Sequence, residues 1–280
     1  MASLREIKDR IGSVRSTLKI TSAMKLVASS KLRKSQKAIE NMLPYRKALE
    51  DMLSKVQNGA GNALYRSSEG GKVAIVAVSS NSSLCGAFNV NVVRAALAES
   101  AACNGPCLIA VGRKMAEAAR RAGFVQESDF SQMIARPSAA AASDFSASLV
   151  GKFRSGEYSK VVFVYNHFVS TAKQEVRVEQ YLPPDGSCCD DDSPAEEQEY
   201  ILEPSGREIE EELLPLVLGL KVYTVLLDSA AAEHAARTVA MQTATDNAED
   251  ILSELTLEYN KGRQQKITAE ILDLVAGNSE

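Results

Sequence analysis

The sequence predicts an α/β protein: a long antiparallel coiled coil of N- and C-terminal helices plus a central Rossmann-like α/β head. Three observations predict it. Residues 233–277 contain no proline and one interior glycine, Gly262, and their apolar residues recur at helical spacing. Residues 1–56 carry a second long striped pattern. Between the two, short apolar runs alternate with helical stretches, the mark of a mostly parallel sheet with helices on both faces.

Ser3 and Glu6 have the spacing of a capping box, which starts the first helix at Leu4. Leu4, Ile7, Ile11, Val14 and Leu18 then step by three and four, and the apolar phase drifts afterwards to Ile20, Met24, Val27 and Leu32. Pro44 interrupts the pattern and is expected to kink it. The glycine- and serine-rich residues 57–71 read as a linker between the first helix, 1–56, and a head at 72–204.

In the head, Lys72–Ser79 and Cys107–Val111 read as buried strands, with helices at Ala87–Ser100, Lys114–Ala122 and Ser138–Phe153. Phe124–Gln126 reads as a short strand and Lys160–Phe168 as a longer one. Gln174–Leu182 alternates polar and apolar residues, as an antiparallel strand does. An acidic loop, Pro183–Gln198, and a last short strand at Tyr200–Leu202 follow.

Ser205 and Glu208 form a second capping box that opens the C-terminal helix region, 205–280. Pro215 and Gly219 predict irregular first turns, with a straight rod from about Leu220. Its stripe is Val239, Ala240, Ala244, Ala248, Ile251, Leu255, Tyr259, Ile267, Ile271 and Leu274. About 45 residues at ~1.5 Å each make a rod of roughly 65 Å. A small globule cannot cover that length, so the stripe needs another long helix, a partner's interior, or both.

Composition narrows the function. The chain has 280 residues, 45% hydrophobic, no Trp and 5% aromatics, which suits slender helix packing. No run reads as apolar enough to span a bilayer, and MASLREIKDR lacks the apolar core of a secretory signal, so a cytoplasmic setting is expected. Five cysteines without a CxxC and two histidines argue against a disulfide framework or a zinc site. The net charge of −4 hides strong polarity: residues 1–38 hold ten Lys/Arg against two Asp/Glu, and residues 185–212 hold twelve Asp/Glu against one Arg. The basic helix points to an acidic partner surface. Nucleic acid is the competing reading, disfavoured because the helix lacks aromatics for stacking.

The head offers little chemistry. Val73–Val90 has the layout of a phosphate-binding strand–turn–helix, but the loop SSNSSLCGAFN has one glycine, Gly86, and matches neither GxGxxG nor GxxxxGK[ST]. A nucleotide-dependent enzyme is therefore disfavoured, and no cofactor or metal is expected. Cys85 reads as a small buried cysteine rather than a nucleophile, since no histidine pairs with it. His167 and His234 read as structural. Cys188–Cys189 and the cluster Asp190–Asp192 read as parts of a solvated loop, the latter lacking calcium-loop spacing.

SVRSTLKITSAMKLVASSKLRKSQ (Ser13–Gln36) resembles the N-terminal signature of the gamma subunit of F-type, proton-translocating ATP synthases. SSLCGAFNVN (Ser82–Asn91) is similar to that family's central motif, and Ala232–Gly277 to its C-terminal signature. The resemblance implies a central-stalk rotor subunit with no active site of its own. Its two terminal helices would turn inside a ring of three alpha and three beta subunits. Its head would meet the epsilon subunit and the c-subunit ring, peripheral to the cytoplasmic face of a bacterial cell membrane. The rotor would carry torque from proton flow to the catalytic sites.

By position, the resemblance places Met24 and Lys25 near an acidic beta loop. Glu233, Arg237, Gln264 and Thr268 would couple the C-terminal helix to the beta subunits and the N-terminal helix, with Arg263 sharing that contact. Cys85, Gly86, Phe88 and Asn89 would mark a structural head motif. The chain departs from the family at Asn81-Ser82-Ser83, where Asp-Arg-Gly is usual. It also ends in GNSE rather than an apolar tail, and lacks the regulatory cysteine insertion of the chloroplast form.

Overall fold

The computed structural model describes residues 3–56, 63–65, 70–103, 105–125, 128–184, 203 and 205–277. Gln126, Cys188–Cys189, Asp190–Asp192, Tyr200–Leu202 and most of the 57–71 linker lie outside the described residues. The order is α1 (Leu4–Val56), a 3-10 turn (Ala63–Tyr65), β1 (Lys72–Val78), α2 (Phe88–Ala102), β2 (Cys107–Val111), α3 (Arg113–Arg121), α4 (Ser131–Ala135), α5 (Ala139–Arg154), β3 (Tyr158–Phe168), β4 (Gln174–Leu182) and α6 (Gly206–Gly277). The chain divides into two compact units: residues 1–29 with 237–280, and residues 30–236.

The first unit is a pair of helix segments. Its N-terminal cap is the expected one: Ser3 N–H donates to Glu6 Oε2 at 2.9 Å, and Glu6 N–H to Ser3 Oγ at 3.2 Å. The seam differs from the expected drift. Ile7, Thr21 and Ala28 are buried, and Leu4, Ile11, Val14, Leu18 and Lys25 are half-buried, so a three–four step runs unbroken to Ala28. Ile20 and Val27 face out at 60% and 56% exposure. Opposite them, Met241, Thr245, Ala248 and Leu255 are buried, and Leu252, Tyr259 and Gly262 are half-buried. Leu252, not Ile251, takes the inward position, and Ile267 and Ile271 are exposed.

The helices run antiparallel. The Thr21 and Thr245 hydroxyls lie 2.9 Å apart, and a Cβ on Gly262 would stand 3.0 Å from Leu4 Cδ2. The register is therefore the same 17 positions apart on each helix. A 3.5-residue apolar repeat held over this span winds two helices left-handed around each other.

The second unit is the α/β head, with sheet order β2-β1-β3-β4. β1 pairs parallel with β2 and β3, and β4 antiparallel with β3. Alternate residues of β1 point to opposite faces. Ala74, Val76 and Val78 join Phe145, Leu149 and Phe153 of α5, Leu49 and Leu53 of α1, and Val222 and Leu226 of α6. Ile75 and Ala77 meet Val92 and Ala96 of α2 and Met115 and Ala119 of α3.

Several expectations are corrected here. α1 continues through Pro44, with Met42, Leu49 and Leu53 buried on either side. Packing offsets the ~3 kcal/mol that an interior proline costs. α6 is likewise one helix from Gly206, including Pro215. Gly219 is a close-approach residue, since a Cβ there would lie 3.3 Å from Ser143 Cα on α5. Phe124 and Val125 are not in a strand; Phe124 packs beside α2 and α3. The apolar stretch of α6 around Leu213–Ala232, charged only at Lys221 and Asp228, is long and apolar enough to cross a membrane by length and composition. More than half of that stretch is buried within the protein.

Candidate interaction surfaces

Rossmann-like sheets take ligands outside the carboxyl ends of the strands, where the connections diverge. Here that point lies between β1 and β3. It is filled by protein: Cys85 and Phe88 pack on Ala232 and Ala236 of α6, with Phe168 against them. Alanines present little bulk, which lets α6 enter the crevice.

The loop above is tied down internally. Leu84 and Gly86 take left-handed backbone, at φ 66° and 58°. Ser80 N–H donates to Asn89 Oδ1 at 3.1 Å, and Asn89 Nδ2 donates to Ser80 Oγ at 2.8 Å and lies 3.1 Å from Cys85 Sγ. Ser80 Oγ donates to Ser82 O at 2.6 Å. Cys85, Gly86, Phe88 and Asn89 thus form one cluster, with Cys85 1% exposed. Ser79 and Asn81, to which sequence reasoning gave no contact, serve α3: Met115 N–H donates to Ser79 Oγ at 2.8 Å, and Arg113 N–H to Asn81 Oδ1 at 2.9 Å. Asn81 Nδ2 also donates to Ser131 O at 2.7 Å.

The sequence-predicted contact residues are spread over both units. Met24, Lys25 and Arg237 are half-buried in the helix pair. Arg263, Gln264 and Thr268 are exposed, with Thr268 Oγ1 donating to Gln264 O at 2.9 Å. Residues 263–272 are exposed on every side, because α1 begins at Leu4 and Leu4 already faces Gly262. Glu233 is buried at 8% exposure in the head. His167 Nδ1 donates to Asp228 Oδ2 at 2.6 Å, so the histidine links β3 to α6.

The head carries a surface that periodicity did not reveal. Between α2 and α3 runs an open groove of about 390 Å³ lined by Val90, Val93, Arg94, Lys114, Glu117 and Arg121. Lys114 and its Glu117 partner, 2.9 Å apart, hold the Glu117 carboxyl below its usual range. Arg94, Lys114 and Arg121 against the single carboxylate of Glu117 leave the groove basic over an apolar floor. Charge counting along α3, RKMAEAARR, would have found half of it.

A family model described as ATP synthase matches residues 3–279. The ATP synthase gamma chain of Phocaeicola vulgatus is 47% identical over 290 residues, covering 99% of each chain. That of Bacteroides thetaiotaomicron is 43% identical over 298 residues, covering 100% of each. Among solved structures, a chain of the Euglena gracilis mitochondrial ATP synthase, OSCP/F1/c-ring in rotational state 3, is similar at a TM-score of 0.66 and 18% identity. That match covers 99% of this chain and 93% of that one. A chain of the Tetrahymena thermophila mitochondrial ATP synthase central stalk and c-ring gives 0.60 and 22%, covering 80% and 99%. At these identities the structural likeness is one of fold.

Proposed function

The chain belongs to the ATP synthase gamma-chain family, and from that premise we propose that it is the central-stalk rotor of the complex, carrying torque from a membrane c ring to catalytic alpha and beta subunits. The observation that carries this reading is the outside of the helix pair. Ile20, Leu26, Val27, Ile251, Leu257, Ile267 and Ile271 are exposed in the chain alone, and residues 263–272 have no covering helix. Apolar residues exposed along so slender an element call for apolar cover. Hydrophobic contact is non-directional, so such cover permits turning.

Directed contacts accompany it. Met24 and Lys25 meet an acidic loop of a beta subunit, and the basic groove between α2 and α3 offers a second surface for an acidic partner segment. Exposed ion pairs contribute about 0–1 kcal/mol each, so they re-form at every step. Arg263, Gln264 and Thr268 engage the beta subunits at the tip. Glu233 and Arg237 couple α6 to the beta subunits and to α1. Cys85, Gly86, Phe88 and Asn89 hold the head's loop against α6. The chain has no catalytic role of its own, a reading supported by the protein-filled crevice between β1 and β3. The head meets epsilon and the c ring, peripheral to the cytoplasmic face of a bacterial cell membrane.

Reconstitution with alpha and beta subunits tests this. ATP hydrolysis that appears only when all three are mixed, and none by the chain alone, is the expected result. Failure to associate, or hydrolysis by the isolated chain, overturns it. Met24→Lys is expected to lower proton-driven ATP synthesis while leaving the chain's thermal midpoint nearly unchanged.

A further inference from the structure

Within the head, the contacts α6 makes change character along its length. From Leu214 to Leu227 its buried residues are large apart from Gly219: Leu214, Val217, Leu218, Val222, Val225, Leu226 and Leu227. From Ala230 onward they are small apart from Glu233: Ala230, Ala231, Ala232, Ala235 and Ala236. Large side chains interdigitate as ridges and grooves and resist rotation about the helix axis; alanines form shallow ridges and resist it poorly. Asp228 stands at the changeover. Its Oδ2 accepts from His167 Nδ1 at 2.6 Å and its Oδ1 from Phe168 N–H at 2.9 Å, and its side chain is 13% exposed.

We propose that Asp228 is a positioning residue that sets the angle of α6 against the sheet where its packing turns shallow, and that this setting is needed for ATP hydrolysis to drive proton pumping. This rests on the rotor reading. A side-chain oxygen lies about 5 Å from a helix axis, so a rotation of only about 20° carries it nearly 2 Å. Two bonds of 2.6 and 2.9 Å, one of them to rigid strand backbone, do not survive that displacement. Among the described residues a second ion pair joins the sheet to α6, Lys221 Nζ to Glu179 Oε1 at 2.8 Å, more than a third exposed on both sides and so a weak hold on the angle; the buried Tyr181 hydroxyl also donates to Leu218 O at 3.2 Å, ten residues before Asp228.

The test is the ratio of ATP-driven proton pumping to ATP hydrolysis in the complex reconstituted with the full chain. Asp228→Ala is expected to hydrolyse ATP within about twofold of the unaltered chain while the ratio falls about fivefold. His167→Ala, which keeps the Phe168 bond, is expected to lower the ratio about twofold. Asp228→Asn keeps an oxygen for Phe168 N–H and is expected to restore most of the ratio, and Lys221→Ala to leave it unchanged. An unchanged ratio in assembled Asp228→Ala, even with a lowered thermal midpoint, overturns the proposal. If that variant does not assemble, an unchanged ratio in His167→Ala overturns it. If the unaltered chain supports no coupled pumping, the rotor reading fails and this one with it.

Discussion

At Gly112 the backbone sits at φ 105° and ψ 146°, and an added Cβ would stand 2.2 Å from the carbonyl oxygen of Ser79. Both the conformation and the space require glycine. Gly112→Ala should lower stability by about 2–4 kcal/mol, read as a drop in the urea midpoint of the full chain. Tyr158, Tyr165 and Tyr181 set a different limit. Burial, with Cys107 adding to it, pushes the Tyr158 phenol up to about 12. Burial, then the neighbouring Glu179 carboxylate, raises Tyr165, and burial raises Tyr181 although its bond to Ser146 opposes the shift. Below pH 10 these phenols are neutral in both states. Above it the unfolded phenols ionise while the folded ones resist, so stability falls as pH rises past 10. Circular dichroism followed with tyrosinate absorbance should show the head unfolding as ionisation appears, rather than ionising while still folded.

Among the elements, the Thr21–Thr245 contact is the clearest device for alignment. Both residues are buried on the seam, and each hydroxyl also reaches a carbonyl of its own helix: Leu18 O at 3.1 Å and Met241 O at 2.8 Å. A matched polar pair on an apolar seam specifies register at some cost in stability. Thr21→Val should destabilise the helix pair by about 0.5–1.5 kcal/mol, and adding Thr245→Val should recover most of that loss, measured as a double-mutant cycle on helix unfolding. The strands were legible because apolar runs and the alternation in β4 survive in one dimension. The cap at Ser3 was legible because its partners lie three residues apart. The inward place of Thr21 was not, because Ile20 beside it is the better apolar residue by composition. Of the site, the motif around Cys85 was visible as a cluster in sequence, whereas the link from Asp228 to His167 spans 61 positions and carries no local signal.

Taken as a whole molecule, the two units rest on unequal cores. The head buries both faces of a four-stranded sheet, while the helix pair has one narrow seam and exposed apolar residues outside it. Hydrogen exchange on the free chain should therefore find backbone amides of 4–29 and 237–262 exchanging far faster than those of β1 and β3, with the difference shrinking on assembly with alpha and beta subunits. Equal protection in the free chain would mean that the pair needs no apolar cover.

The sequence by itself determined most element types, the two long helices, the order of the four strands along the chain and the family, since each depends on local periodicity or contiguous motifs. Only the tertiary structure decided which residues face inward, that α1 and α6 continue as helix through Pro44 and Pro215, that α6 fills the crevice beside β1, and that Asp228 meets β3. Those outcomes turn on packing between segments far apart in the chain, where burial outweighs local preference.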